Sequence, residues 1–137
     1  MVRFTSRVEY ALLAALDLTE HRQGDTPISG KAIAARTGVP AKFLAQILLE
    51  LKARGLVSSA RGPNGGYWLT RPPETISVAQ IMLAAGAAGG MREARPASDH
   101  ARKNAVRGLL EKAEKDALNM LSQKSLCDFL EQTRARQ

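Results

Sequence analysis

The stretch RGPNGGYWLT, residues 61–70, constrains the fold more than any other part of this chain. Pro63 and three glycines separate two short runs that are rich in β-forming residues, LVSSA at residues 56–60 and YWLT at residues 67–70. Proline and glycine favour tight turns, whereas the flanking residues favour extended backbone. The pattern therefore predicts a strand, a tight turn and a second strand.

Two short helices are predicted immediately before this hairpin. Ser29 can cap the segment GKAIAARTG, which Gly38 closes. Pro40 suits the first turn of PAKFLAQILLELKARG, and Gly55 supplies its stop. Five apolar residues of the second helix fall within one arc: Phe43, Leu44, Ile47, Leu48 and Leu51. A helix-turn-helix followed by a hairpin is the order of a winged helix, so we expect a mainly α fold with a small β-hairpin wing.

Further helices are expected on both sides of this unit. Ser6 stands three residues before Glu9, which is the spacing of a capping box at the start of a first helix. Ser77 can cap the helix VAQIMLAAG. Residues 86–98 contain several glycines and a proline without apolar periodicity, which predicts a flexible loop.

A long helix is predicted over residues 99–124, and Ser125 with Asp128 can cap a short terminal helix. The long helix would extend for roughly 39 Å, which is more than a small winged helix can easily shield. We expect a second copy of the chain to cover its apolar stripe, although the helix could also fold back on its own domain. The stripe comprises Val106, Leu109, Leu110, Ala113, Ala117, Met120 and Leu121.

These elements give three parts. Residues 1–85 form a winged helix-turn-helix domain, residues 86–98 form the loop, and residues 99–137 form a dimerisation helix with a short terminal helix.

Most of the net charge of +7 lies in one segment. Between residues 31 and 71, seven basic side chains stand against one acidic side chain, Glu50, and so contribute six of the seven net charges. Clustered positive charge favours a polyanionic partner, whereas a merely solvated surface usually intersperses both signs. We expect double-stranded DNA as the partner, with backbone contacts from Thr5, Ser29, Lys31, Arg36 and Arg71.

Two positions of the helix-turn-helix and one at the base of the wing are candidates for reading bases. On the face of the second helix opposite the apolar arc, Gln46 can pair with adenine and Lys42 can reach guanine or phosphate. Leu49 shares that face and could meet a thymine methyl group, another helix, or nothing. Arg61 can enter a narrow minor groove, while the glycine-rich turn lets backbone approach the duplex. The wing comprises Gly62, Pro63, Asn64, Gly65, Gly66 and Tyr67.

These segments resemble the bacterial winged-helix transcription regulators typified by IscR, NsrR and CymR. The resemblance is carried by FTSRVEYALLAALDL, by the helix pair from residue 28 to residue 59, by RGPNGGYWL, by ISVAQIMLA and by the terminal SLCDFL. It implies a homodimer whose recognition helices occupy successive major grooves of an imperfect palindrome, with the wings in the minor groove. It assigns base reading to Lys42 and Gln46 and the minor groove to Arg61. Family members often have an acidic residue where this chain has Ala45, so a carboxylate that could select cytosine or repel other bases is missing here.

The chain departs from cluster-bearing relatives, which have three cysteines between the winged helix and the long helix. Residues 86–108 contain no cysteine. Fe–S clusters are usually held by four thiolates, so we expect no cluster and no cofactor. Glu9, Glu93 and His100 could supply a metal site of harder ligands, but they show no ligand spacing. Cys127 is either an inert small hydrophobe or a thiol sensor.

The single cysteine excludes an internal disulfide framework, and the reducing cytoplasm is the natural compartment. The longest apolar runs are shorter than the roughly 20 residues of a membrane helix, and no signal-peptide pattern is found. No nucleophile, base and orienting group occur together, so an enzyme is not expected.

The expected function is a homodimeric repressor without a cluster. Two alternatives stay open: a regulator that senses an effector, a metal or thiol redox state through residues 86–108 or Cys127, and a basic protein-interaction module.

Overall fold

The computed structural model describes residues 5–86 and 99–136. Helix α1 spans Ser6–Glu20, and the pair that follows it is α2 (Gly30–Thr37) and α3 (Ala41–Ala53). Strands β1 (Val57–Ala60) and β2 (Gly66–Leu69) come next, followed by a 3-10 turn at Pro73–Thr75. The remaining helices are α4 (Val78–Ala84), α5 (Ala101–Ser122) and α6 (Leu126–Ala135). The predicted mainly α fold with a β-hairpin wing is confirmed.

The helix ends follow local side-chain chemistry. The hydroxyl groups of Ser29, Ser77 and Ser125 accept hydrogen bonds from backbone N–H groups in the first turns of α2, α4 and α6, as predicted. Helix α1 differs, because its cap is Thr5 and not Ser6. The Thr5 Oγ1 atom accepts from the N–H of Val8 at 3.4 Å. Thr5 and Ser6 are both residues that commonly cap helices, and the predicted cap was therefore one residue too far along the chain.

Helix α1 lies at the centre of the core. Its buried apolar residues include Val8, Ala11 and Leu18, and they meet the buried side chains of α2, α3 and α4. The C-terminal helix α6 also enters this core through Leu126, which is fully buried. The backbone fixes that position, because the N–H of Leu126 donates to the carbonyl of Ile76 and the N–H of Val78 donates to the carbonyl of Lys124. The end of the chain is therefore anchored on the winged helix.

None of the 22 residues of helix α5 is fully buried, and its side chains are either half-buried or exposed. Leu118 and Leu121 are half-buried against the core, whereas Val106, Leu109 and Met120 are exposed by 57%, 68% and 61%. The chain itself thus leaves much of the predicted apolar stripe uncovered.

Within the described residues, no single helix is long and apolar enough to cross a membrane. Helices α2 and α3 reach that length and apolarity only when they are taken together, and the angle between them is 117°.

Candidate nucleic-acid interface

The outward face of α3 carries the two predicted base-reading residues. Leu44, Ile47, Leu48 and Leu51 are buried, and each is exposed by no more than 1%. On the other side of the helix, Lys42, Ala45, Gln46 and Leu49 are exposed, as the periodicity predicted. The apolar face therefore fixes the rotation of the helix, and the side chains of Lys42 and Gln46 remain available to a partner.

One residue of the predicted apolar arc, Phe43, is not buried in the core. Phe43 is 51% exposed, so its assignment to the buried face is wrong. Its ring lies beside that of Tyr10, with centroids 6.4 Å apart and planes tilted by 40°. Phe43 stands at the edge of the arc and near the start of α3, where α1 covers only part of the helix. A cavity of about 300 Å³ opens there, lined by Ser6, Arg7, Tyr10, Phe43 and Ile47.

The wing is an antiparallel hairpin in which Val57 pairs with Leu69 and Ala60 pairs with Gly66. Its turn has two different requirements for glycine. Gly62 has φ of 105°, a conformation that side-chain-bearing residues rarely adopt. At Gly65, a Cβ atom would clash with the carbonyl oxygen of Ala60. Gly65 is thus needed for a close approach to the backbone of Ala60 within the hairpin.

A third segment, which the sequence analysis did not predict, joins the base of the wing. The N–H of Ile28 donates to the carbonyl of Tyr67 at 2.9 Å, and the N–H of Tyr67 donates to the carbonyl of Ile28 at 2.8 Å. A Cβ atom at Gly66 would clash with the backbone of Ile28. Because Ile28 directly precedes Ser29, the cap of α2, the wing and the helix-turn-helix are held on one frame.

Arg36 has a structural role that the sequence did not reveal. Its Nε and Nη2 atoms donate to Oδ1 and Oδ2 of Asp17 at 2.8 and 2.9 Å. The Asp17 side chain is only 6% exposed, and a buried carboxylate requires such a partner. The hydrogen bond to Asp17 raises the pKa of Arg36 further above its usual value. A guanidinium has five N–H donors, so this pairing leaves others for a phosphate group.

The other predicted backbone contacts lie at the surface. Lys31, Arg61 and Arg71 are exposed, and so are Thr5 and Ser29. The oxygens of both hydroxyl groups already accept helix-capping hydrogen bonds, which orients them at the first turns of α1 and α2. Each hydroxyl keeps its own proton for donation.

Cys127 is half-buried on α6, and its Sγ atom lies 3.8 Å from Oε2 of Glu74. Burial raises the pKa of the Cys127 thiol, and the negative charge of Glu74 raises it further. A raised pKa lowers the fraction of thiolate at a given pH, and the thiolate is the form that binds metals and is oxidised. This environment favours the inert role over the sensor role.

Two of the three predicted harder ligands lie within the described residues. Glu9 is exposed in the first turn of α1, and His100 occupies the N-cap position of α5 without a capping hydrogen bond from its side chain. Glu93 and all of the predicted loop except Gly86 lie outside the described residues. Within residues 5–86 and 99–136, no three His, Cys, Asp or Glu side chains are grouped to hold a metal ion.

Comparison with known proteins agrees with this architecture. A family model described as "Rrf2: Iron-dependent Transcriptional regulator" matches residues 4–132. The HTH-type transcriptional regulator IscR of Photorhabdus laumondii is 40% identical over 83 residues, which are 61% of this chain and 50% of that protein. The chain spans about half the length of several curated relatives that it matches.

Two solved structures are similar over nearly the whole chain. The structure of T. potens IscR has a TM-score of 0.78 and 30% identity, covering 98% of this chain and 90% of that one. The structure of CymR, the global cysteine regulator of B. subtilis, also has a TM-score of 0.78, with 26% identity and coverage of 96% and 98%.

A helix-turn-helix whose exposed face is basic, locked to a β-hairpin, defines a winged-helix protein. Since the family model covers most of its 137 residues, the chain belongs to the Rrf2 family.

The family description refers to iron, but the residues of this chain do not fit an Fe–S cluster. Such clusters are usually held by four thiolates, and the sequence contains one cysteine. That cysteine is half-buried and directed at a carboxylate, which disfavours the thiolate form that a cluster requires.

Proposed function

We propose that this chain is a sequence-specific DNA-binding transcription regulator. The observation that carries the proposal is the exposed Lys42–Gln46 face of α3, held on one frame with Arg61 through the Ile28–Tyr67 pairing. Two reading elements at a fixed separation can engage neighbouring grooves of one duplex. Family membership supports the same function.

In this proposal α3 lies in the major groove, which is wide enough to admit a helix. Gln46 reads adenine through paired hydrogen bonds, and Lys42 contacts guanine or a phosphate. The guanidinium of Arg61 enters the minor groove, where the negative potential is strongest when the groove is narrow. Phosphate contacts fix the orientation of the protein without reading sequence. They come from Thr5, Ser29, Lys31, Arg36 and Arg71.

The active form is a homodimer, and α5 supplies its interface. Val106, Leu109 and Met120 present large apolar side chains to solvent, which is unfavourable unless another surface covers them. Two copies related by a two-fold axis would bind an imperfect palindrome, and the half-site spacing would report the dimer geometry. In this proposal residues 1–85 bind DNA and residues 86–98 connect them to the C-terminal helices. Residues 99–137 form the dimer interface and pack against the winged helix.

Regulation is by occlusion, so that a bound dimer represses transcription from an overlapping promoter in the bacterial cytoplasm. It needs no Fe–S cluster, because this chain lacks the thiolates for one. The protein has no catalytic role in this proposal. A signal would reach it through an effector or a partner protein.

Selection of bound sequences from a random duplex pool, at fixed physiological salt, tests the proposal. We expect an enriched imperfect palindrome. The combined variant Lys42→Ala, Gln46→Ala and Arg61→Ala should retain salt-sensitive binding but lose the enrichment, because phosphate contacts carry no sequence information. Salt-sensitive binding without enrichment by the natural chain, with and without a cell extract as a source of effector, would contradict the proposal and favour an interaction module.

A further inference from the structure

Leu49 is an apolar residue in the middle of the basic recognition face. It is 67% exposed, more than any other large hydrophobic residue of α3, and it makes no contribution to the core. Lys42, Gln46 and Leu49 stand at intervals of four and three residues, so they form one stripe along the helix. A stripe of this kind meets whatever surface α3 is bound to.

The neighbours of Leu49 make it project from that surface. Ala45 and Ala53 lie one turn before it and one turn after it, and both are exposed. Their side chains are single methyl groups, so the isobutyl group of Leu49 stands above the helix surface on both sides. The one acidic neighbour, Glu50, is half-buried and paired with Arg7, so its charge is compensated and the stripe itself carries no negative charge.

The chemistry of the surroundings decides between a protein partner and a nucleic acid. An isolated leucine between lysine and amide side chains is too small an apolar patch to bind another protein by itself. In the major groove, by contrast, the 5-methyl group of thymine is an apolar group offered among polar base edges. A projecting aliphatic side chain on a basic helix fits that combination of charge and shape.

We propose that Leu49 is a specificity-determining residue that packs on the 5-methyl group of a thymine in each half-site. The inference rests on the proposed function. Leu49 follows Gln46 by about 4.5 Å along the helix axis, and stacked base pairs are about 3.4 Å apart. The thymine therefore lies within about two base pairs of the pair that Gln46 contacts.

The test is a methyl deletion in the DNA combined with a side-chain deletion in the protein. Each thymine of the selected operator is replaced in turn by deoxyuridine, symmetrically in both half-sites, and the dissociation constant is measured at fixed salt. At one thymine position, loss of the buried methyl group should weaken binding by the natural chain about fourfold for each half-site. Leu49→Ala should bind the thymine and uracil duplexes equally well, and Leu49→Met should keep part of the preference.

Lys31→Ala is the matched control, since the loss of a phosphate contact should weaken binding to both duplexes by the same factor. Leu49 is exposed, so Leu49→Ala should fold normally, and far-ultraviolet circular dichroism with thermal unfolding checks this.

Two results would overturn the inference while leaving the proposed function intact: an operator at which no deoxyuridine substitution matters, or a Leu49→Ala variant that keeps the thymine preference of the natural chain. If the natural chain enriches no sequence at all, the proposed function itself has failed, and this inference fails with it.

Discussion

The guanidinium group of Arg36 on α2 donates two hydrogen bonds to the buried carboxylate of Asp17 on α1. The pair joins the central helix of the core to the first helix of the helix-turn-helix. His21 and Glu20 lie near it at the end of α1, where the His21 Nε2 atom is 3.7 Å from Oδ1 of Asp17. This ion pair therefore helps to position α2, together with the buried Ile33, and through Ile28 it also supports the wing.

Removal of this pair should destabilise the protein. Arg36→Ala leaves a nearly buried carboxylate without its bidentate donor, and we expect the free energy of unfolding to fall by about 2 kcal/mol. Equilibrium unfolding in urea measures the change. Lys31→Ala, an exposed substitution on the same helix, should change it by less than about 0.5 kcal/mol. Equal effects of the two substitutions would show that Asp17 does not depend on Arg36.

The packing of the wing against Ile28 predicts unequal effects at two glycines. Gly62→Ala introduces backbone strain of about 1–3 kcal/mol, because its φ is positive, but the added Cβ would meet no atom within 4 Å. Gly66→Ala also pushes a Cβ atom into the backbone of Ile28, so it should destabilise the protein more. Urea unfolding compares the two variants. A larger loss at Gly62 would contradict the Ile28 pairing as the anchor of the wing.

Arg61→Ala should weaken operator binding by about 1–3 kcal/mol at fixed salt, by analogy with arginines that read bases. The residue is exposed, so the stability of the protein should not change. Lys112→Ala removes the same charge from α5, outside the proposed interface, and should leave the affinity almost unchanged. Fluorescence anisotropy with labelled operator measures both. Unchanged affinity after loss of Arg61 would refute its minor-groove role.

The exposed stripe of α5 predicts that one charge will break the dimer. Leu109→Glu places a carboxylate where a second copy is proposed to pack, so sedimentation should show a shift from dimer to monomer. Operator affinity should fall with it, because two half-sites are no longer bound together. Asn119→Glu makes the same change of charge on the opposite face and should remain dimeric. Unaltered mass for Leu109→Glu would exclude this face as the interface.

Cys127 should react slowly with alkylating reagents. Its pKa is raised by burial and by Glu74, so a higher pH is needed to form the reactive thiolate than in a free cysteine. Iodoacetamide modification, followed by mass spectrometry across a pH series, should have its midpoint above that of a cysteine peptide. Glu74→Gln should move the midpoint to lower pH, because a negative charge is lost. Rapid modification near neutral pH would reopen the sensor hypothesis.

Local chemistry made much of this fold predictable from the sequence. Ser29, Ser77 and Ser125 cap helices through contacts to residues only three positions away, and Gly38 and Gly55 take the positive φ that ends a helix. The exposed position of Lys42 and Gln46 followed from the apolar periodicity of α3 alone. The error at the start of α1 was also local, because Thr5 and Ser6 have nearly the same capping chemistry.

The tertiary structure decided the contacts between residues that are distant in the chain. Asp17 with Arg36, Ile28 with Tyr67 and Cys127 with Glu74 are separated by 19, 39 and 53 positions. Phe43 had the right spacing for the core, and its exposure depends on how far α1 extends over α3. Short-range caps and periodicities are written in neighbouring residues, whereas a long-range pairing exists only after packing has brought its two partners together.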